Sequence, residues 1–384
     1  MKFTVNRDAI INGLQKAASI IPMKAASVSL RSIWLKAEEA GIYIMATDAD
    51  LEFTGSYPAV VDEPGLIGVH GRSFADLITR CPSGDINIYV DEDASVLRLE
   101  QGKRKYQLPV STPDWFQEFA PWPTENTVMW TADSLSDLID HVSYCISDDD
   151  ARDAMACIYF DPLGEDKINV CGLNGHQFAM QTITNADLAS LFTPGGLLIQ
   201  KKYLGDIKKW LGNEEMELNL TEKRLFLRQF ESSEMLSIPR YTRNSYPDYN
   251  LFLSKLDGDA MGKLEISRKD CLDVMGRFMI FSSDNNLCVS FSLHPMELSL
   301  SASGNDNGSG QESIEAIYNG TLERIAFPNK SLIEIFGHFV SSNMEFFFTG
   351  EENVCGISGS EDPGYRVIIM PMRVMDTSRY DESD

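Results

Sequence analysis

An internal period of about one third of the 384-residue chain constrains the fold more than any other feature of the sequence. Three segments open alike. After Asn6 the apolar residues Ile10, Ile11, Leu14, Ala17 and Ala18 keep helical spacing; after Thr131 so do Leu135, Leu138, Ile139, Val142 and Ile146; after Ser267 so do Cys271, Val274, Met275 and Phe278. Asn, Thr and Ser accept hydrogen bonds from the free N–H groups of a first helical turn, so each start reads as a capped helix.

Each segment holds a second helix entered from a short apolar strand: Arg72 to Cys81, Lys201 to Leu211 and Asn329 to Val340. Their acids Asp76, Asp206 and Glu334 recur at nearly equal intervals, one to each repeat. Alternating runs such as Ile42 to Met45, Ile86 to Val90, Val96 to Leu99, Met216 to Leu220, Leu225 to Leu227 and Met296 to Leu300 predict antiparallel strands. The repeating unit is therefore α+β. Pro113-Asp114-Trp115 returns one repeat later as Pro247-Asp248-Tyr249, in stretches suited to linkers. The expected domains are 1–122, 123–253 and 254–374, followed by an acidic tail, 375–384. The run from Ala302 to Gly310 is expected to be a flexible hairpin loop; it lacks the Gly-Lys-Ser/Thr ending of a phosphate loop.

Composition limits the functions such a chain can have. Fifty-seven acids against 33 Lys and Arg give a net charge of -24, which argues against coating nucleic acid or an anionic membrane, though not against a basic patch. The seven cysteines are widely scattered, form no Cys-x-x-Cys pair and suit a reducing cytoplasm. The opening residues show no apolar signal core, and no run approaches the roughly 18 to 20 apolar residues of a membrane span. The chain is expected to be neither exported nor embedded. His70, His141, His176, His294 and His338 are scattered without zinc-ligand spacing, so no metal or cofactor is expected. Asp148-Asp149-Asp150 reads as an exposed acidic loop. Asp48 and Asp50 could share a face and serve a metal-dependent hydrolase on tandem α+β domains, one alternative. A protein-only scaffold is another.

Five stretches together resemble the bacterial sliding clamp family, the beta subunit of DNA polymerase III. They are Met1 to Asp8, Met45 to Glu52, Asn174 to Ala179, Tyr246 to Tyr249 and, most specifically, Val367-Ile368-Ile369-Met370-Pro371-Met372-Arg373-Val374. The resemblance spans nearly the whole chain. It implies three tandem DNA-clamp domains, helices lining a ring and antiparallel sheets outside, with two chains closing around duplex DNA without sequence readout. It also implies no catalysis, but processive synthesis with the DNA polymerase III alpha subunit, a clamp loader, and repair and translesion polymerases as partners.

On that reading the cations gather on inward helices. Lys201, Lys202, Lys208 and Lys209 can share the face opposite Leu204, Ile207 and Leu211, an arrangement that alone reads first as a solvated helix face and becomes a DNA-facing one only with the repeat and the family resemblance. Arg7, Lys16, Arg72, Arg80, Arg268, Lys269 and Arg277 are further DNA-facing candidates, and Lys24 stands where the family has a basic residue on the duplex. The helix from 132 to 147 departs from this pattern, with Asp133, Asp137 and Asp140 and no Lys or Arg. The resemblance sets Tyr106 and Leu108 of one chain against Ile280 and Phe281 of the other, with Ser73 in place of an interface lysine. It also maps a partner-peptide cleft onto Met155, Leu173, Gly175, His176, Phe178, Pro247, Ile368, Met370, Pro371, Met372 and Val374. Ordinary core remains the other reading of Phe178 and Ile368. Leu251 and Gln177 replace family arginines there, and Ser331 also departs from the pattern.

Overall fold

In the computed structural model the described residues are 1–24, 27–90, 96–148, 154–212, 215–230, 232–256, 262–281, 288–304 and 307–373. They pack as two compact units. The first holds Met1–Asp137, Ser190–Thr193 and Leu197–Thr242; the second holds Leu138–Ala189, Pro194–Gly196 and the chain from Arg243 onward. Residues 123–253 thus contribute to both units.

The first unit carries one continuous antiparallel sheet. Strand by strand it runs Val128–Thr131, Glu215–Leu220, Arg224–Gln229, Met235–Pro239, Glu52–Tyr57, Gly41–Thr47, Ser32–Glu38, Gly65–His70, Arg104–Ser111, Val96–Gln101, Asp85–Val90, Lys2–Asn6 and Ala59–Glu63. Alternation sorts its side chains, as in Glu52–Tyr57, where Phe53, Gly55 and Tyr57 face inward and Thr54 and Ser56 outward. The Arg7–Ile20 helix packs on the inner face and against the Gly71–Arg80 helix, burying Ile10, Leu14 and Ala17. Full burial of an Ile or Leu side chain contributes about 1.5–3 kcal/mol.

In the second unit the strand order is Cys157–Leu163, Lys167–Leu173, Gln177–Thr184, Tyr365–Ile369, Cys355–Gly359, Asn343–Phe348, Gly262–Ser267, Gly308–Gly320, Glu297–Gly304, Cys288–His294 and Arg324–Pro328. The Arg268–Phe278 and Asn329–Gly337 helices pack together on it. In each unit one strand pair joins consecutive repeats. Met235 pairs with Thr54 in the first unit, and Phe178 with Ile368 in the second. Strand addition covers edges that each repeat would otherwise expose.

The predicted caps form. Asn6 accepts from the Asp8 N–H, Thr131 from Ser134 and Ser267 from Asp270. The third second-helix stops at Gly337, short of the expected Val340. The predicted loop at 302–310 is mostly strand instead: Ala302, Ser303 and Gly304 pair with Gly310, Ser309 and Gly308. Two long strands in register carry small, polar residues into the ladder that local composition alone assigns to a loop.

Candidate nucleic-acid and peptide interfaces

The basic residues fall into two physical classes. Several arginines tie helix ends together. Arg7 donates to the Ile78 and Thr79 carbonyls at the end of the Gly71–Arg80 helix, and Arg72 donates to the Ile21 carbonyl at the end of the Arg7–Ile20 helix. Arg268 does the same in the second unit, donating to Phe336 and Ser341. Each guanidinium sits at a helix C-terminal end, where its charge complements the negative end of the helix dipole. Lys16 is held by Glu234 at 2.7 Å, beneath which Tyr57 donates to the other carboxylate oxygen at 2.8 Å, and it lies over the Trp210 ring at 5.5 Å. For Arg7, Arg72, Arg268 and Lys16 the DNA-facing reading therefore meets side chains already committed to the fold.

The others lie at the surface. Lys24, Arg80 and Lys269 are exposed, as are Lys202 and Lys209, while Lys201 and Lys208 are half-buried. Tyr203, Leu204, Ile207 and Trp210 form the buried stripe of the Lys201–Trp210 helix, so its lysines ring the remaining face. Lys202 pairs with Asp50 at 2.9 Å and Lys209 with Asp206 at 3.1 Å. Burial opposes charge on Asp50, but hydrogen bonds from Lys202 and Tyr203 and the charge of Arg224 hold its carboxyl below the ordinary value. Arg277 forms a two-pronged pair with Glu312. Exposed pairs of this kind are screened by solvent, add little to stability and exchange readily. Asp48 is a turn residue, accepting from the Asp50 and Leu51 N–H groups, so the hydrolase carboxylate pair does not form. Asp149 and Asp150 lie outside the described residues, among which no cluster of three metal-ligating side chains occurs.

The peptide-cleft residues meet in the second unit. Leu173, Phe178 and Ile368 join Cys171, Met180, Tyr249 and Val354 in one buried cluster, flanked by Met155, Tyr159, Tyr246, Phe252, Leu253 and Leu256. Tyr249 stacks on Phe178 at 5.3 Å, donates to Asp161 at 2.5 Å and accepts from Asn169 at 3.0 Å. Burial, followed by its bond to Asp161, pushes the Tyr249 phenol well above its ordinary range. Tyr246 stacks on Tyr159 at 4.8 Å. Phe178 and Ile368 are thus the covered floor of the site, and its accessible rim is Gly175, His176 and Met370, with Met155, Pro247, Pro371 and Met372 half-buried. Asn174 builds the rim turn, accepting from the His176 and Gln177 N–H groups, and Gly175 takes a φ of 86° that favours glycine. The Met370 N–H then donates to the His176 carbonyl at 2.9 Å, which fixes the terminal strand beside that turn. Leu251 stands 62% exposed on the Asn250–Leu256 helix. Val374 lies outside the described residues.

Tyr246, Tyr249, Phe252, Leu253 and Leu256 belong to this site but are not among the sequence-derived candidates. Their signal is the return of Pro113-Asp114-Trp115 as Pro247-Asp248-Tyr249, which composition alone reads as a linker. Tyr106 and Leu108 are half-buried on Arg104–Ser111 in the first unit; in the second, Ile280 is 74% exposed and Phe281 half-buried. Ser73 bonds His70.

The family description "DNA polymerase III beta subunit, N-terminal domain" matches residues 1–119, and its C-terminal counterpart matches residues 258–373. The chain belongs to the DNA polymerase III beta subunit family. Among relatives, the beta sliding clamp of Caulobacter vibrioides (strain NA1000 / CB15N) is 22% identical over 387 residues, covering 97% of this chain and 100% of that protein. The beta sliding clamp of Haemophilus influenzae is 21% identical at the same coverage. The solved DNA polymerase sliding clamp of Caulobacter crescentus superposes with a TM-score of 0.89 at 22% identity, covering 97% of this chain and 100% of that one. The DNA polymerase III beta subunit of Pseudomonas aeruginosa gives 0.86 at 19% identity, with the same coverage. Three α+β clamp domains with antiparallel sheets are thus the fold of this member of the beta subunit family.

Proposed function

We propose that this chain is a non-catalytic DNA sliding clamp: two copies close around duplex DNA and tether the polymerase for processive synthesis. The observation that carries the reading is the end-to-end match to beta sliding clamps, with full coverage of the relatives and the same fold throughout. The domains are 1–122, 123–253 and 254–374, the acidic stretch 375–384 lies outside the described residues, and the protein works in the cytoplasm. No helix among the described residues is long and apolar enough to cross a membrane.

Charge placement supports a mechanism of sparse contact. Lys24, Arg80, Lys269 and the lysines of Lys201–Trp210 offer phosphates a few exchangeable partners, which retain DNA without gripping it or reading sequence. Strand edges support closure by two copies. Among the described residues, 104–109 pair only with Val96–Gln101, and 308–315 only with Glu297–Gly304. Tyr106 and Leu108 lie on the first strand, and Ile280 and Phe281 follow the Arg268–Phe278 helix in the unit that carries the second. A strand of each copy can complete the other's ladder there.

The partner cleft is the Met370 rim over the Tyr249 cluster, and it receives short motifs of the polymerase alpha subunit, the clamp loader and repair and translesion polymerases. Methionine and proline at its rim adapt to several apolar anchors. Primer extension tests the proposal: with a clamp loader, addition of the chain should lengthen the products of single binding events. Unchanged product length with loader present would refute it.

A further inference from the structure

The repeat places two copies of one socket in this chain, and only one of them is filled. In the second unit Tyr159, Cys171 and Met180 lie side by side across three strands, and Asp161, Asn169 and Thr182 form the next row on the same face. In the first unit the same registers set Trp34, Met45 and Thr54 side by side, then Lys36, Tyr43 and Ser56. The turns joining these strands match as well. Asp48 and Asn174 each accept two backbone N–H bonds, and Ala49 and Gly175 share φ values of 88° and 86°.

What covers the two sheets differs. Over the second, Tyr249 seats its ring on the cluster and its phenol between Asp161 and Asn169, and the Asn250–Leu256 helix brings Leu253 and Leu256 down beside it. Over the first, Trp115 stands where the repeat has Tyr249, yet it is 56% exposed. The following strap, 116–122, is not helical, and Pro121 and Pro123 disfavour a helix there. Phe119 and Trp122, the counterparts of Leu253 and Leu256, therefore roof an open cavity of about 860 Å³ instead of sealing it. That volume lies within the range of ligand pockets, roughly 300–1,000 Å³. The roof is pinned: Phe116 packs on Trp34 at 5.3 Å, the Ala120 N–H donates to Glu52 at 3.1 Å, and Trp122 lies under the Arg228 guanidinium at 4.1 Å.

The geometry points to a second docking socket in the first unit, which takes an aromatic side chain presented by an extended peptide of a partner protein. The second unit names the occupant's chemistry, since the chain there fills the equivalent space with a tyrosine arriving from an extended linker. Methionines 45 and 235 and the rings of Tyr43 and Trp122 make a floor and roof suited to a planar ring.

Saturation-transfer NMR on the full-length protein tests this with two capped probes, Gly-Ser-Trp-Ser-Gly and Gly-Ser-Ala-Ser-Gly. The Trp probe should bind saturably, with a Kd on the order of 1 mM, and the Ala probe at least about tenfold more weakly. Met45→Trp and Thr54→Trp each fill the socket and should weaken Trp-probe binding about tenfold or more; Thr54 is half-buried and exchanges without opening the core. Equal signals from the two probes, no saturation by about 10 mM, or undiminished Trp-probe binding by either folded variant would overturn the proposal.

Discussion

Glu234→Ala separates structural cations from those available to DNA. The Glu234 side chain is 9% exposed and joins Lys16, itself 22% exposed, to the buried Tyr57 phenol. Glycine at position 13 makes room for that phenol, since a Cβ there would collide with it. Removing the carboxylate strands an ammonium and a phenol together. Breaking a fully buried pair costs about 3–5 kcal/mol, and the residual exposure of Lys16 puts this case near the lower end, about 3 kcal/mol. A domain of 150–250 residues loses roughly 2–4 °C per kcal/mol, so melting of the first unit should fall by about 6–12 °C. Tryptophan fluorescence follows it directly, because Trp210 lies under Lys16. Lys16→Met should cost less than Glu234→Ala, since Glu234 keeps its bond from Tyr57. It should also leave the salt dependence of DNA retention unchanged, whereas Lys24→Ala should reduce the slope by about one charge. A melting shift under about 1 °C for Glu234→Ala would refute the structural assignment. So would a change of salt slope in Lys16→Met equal to that of Lys24→Ala.

Three further outcomes follow from other sites. Ala49 holds a φ of 88°, so Ala49→Gly should raise the melting temperature, with a gain of about 1 kcal/mol, and Gly175→Ala should lower it by a similar amount. His338 stacks on Tyr144 at 4.2 Å, and burial followed by the nearby His141 charge lowers its pKa, although Asp140 opposes the shift. The folded state therefore binds fewer protons than the unfolded one, and stability present at neutral pH is lost as pH falls through the folded value. His338→Phe should flatten the fall in melting temperature between pH 7.5 and 5.5, and an unchanged fall would contradict this. Burial pushes the Cys171, Cys271 and Cys355 thiols up, so iodoacetamide at pH 8 should label them only after unfolding, as peptide mass mapping would show.

Periodic features were legible in the sequence because they depend on neighbours in the chain. The Asn6, Thr131 and Ser267 caps, the apolar helix stripes and the recurring turns all follow from spacings of a few residues. Long-range pairings were not. Lys16 and Glu234 lie 218 positions apart, and the arginines at 7, 72 and 268 announce charge without announcing the carbonyls they reach. Of the proposed peptide cleft, the sequence named the exposed residues Gly175, His176 and Met370 but not how its apolar residues pack beneath them. Phe178 and Ile368 read equally as core or as contact, and pairing across the strands buries both beneath Tyr249. The strap at 116–122 and the helix at 250–256 occupy matching places, and their difference lies in prolines that a search for similarity passes over.

A clamp that encircles DNA is held by topology, and retention on a single DNA circle before and after it is cut tests this most directly. Loaded onto a nicked circle and washed in salt, the protein should remain bound. It should leave within the sliding time once a restriction enzyme opens a free end, and stay when both ends are blocked. Equal retention on the intact and the cut circle would contradict encirclement and assign the binding to surface contacts alone.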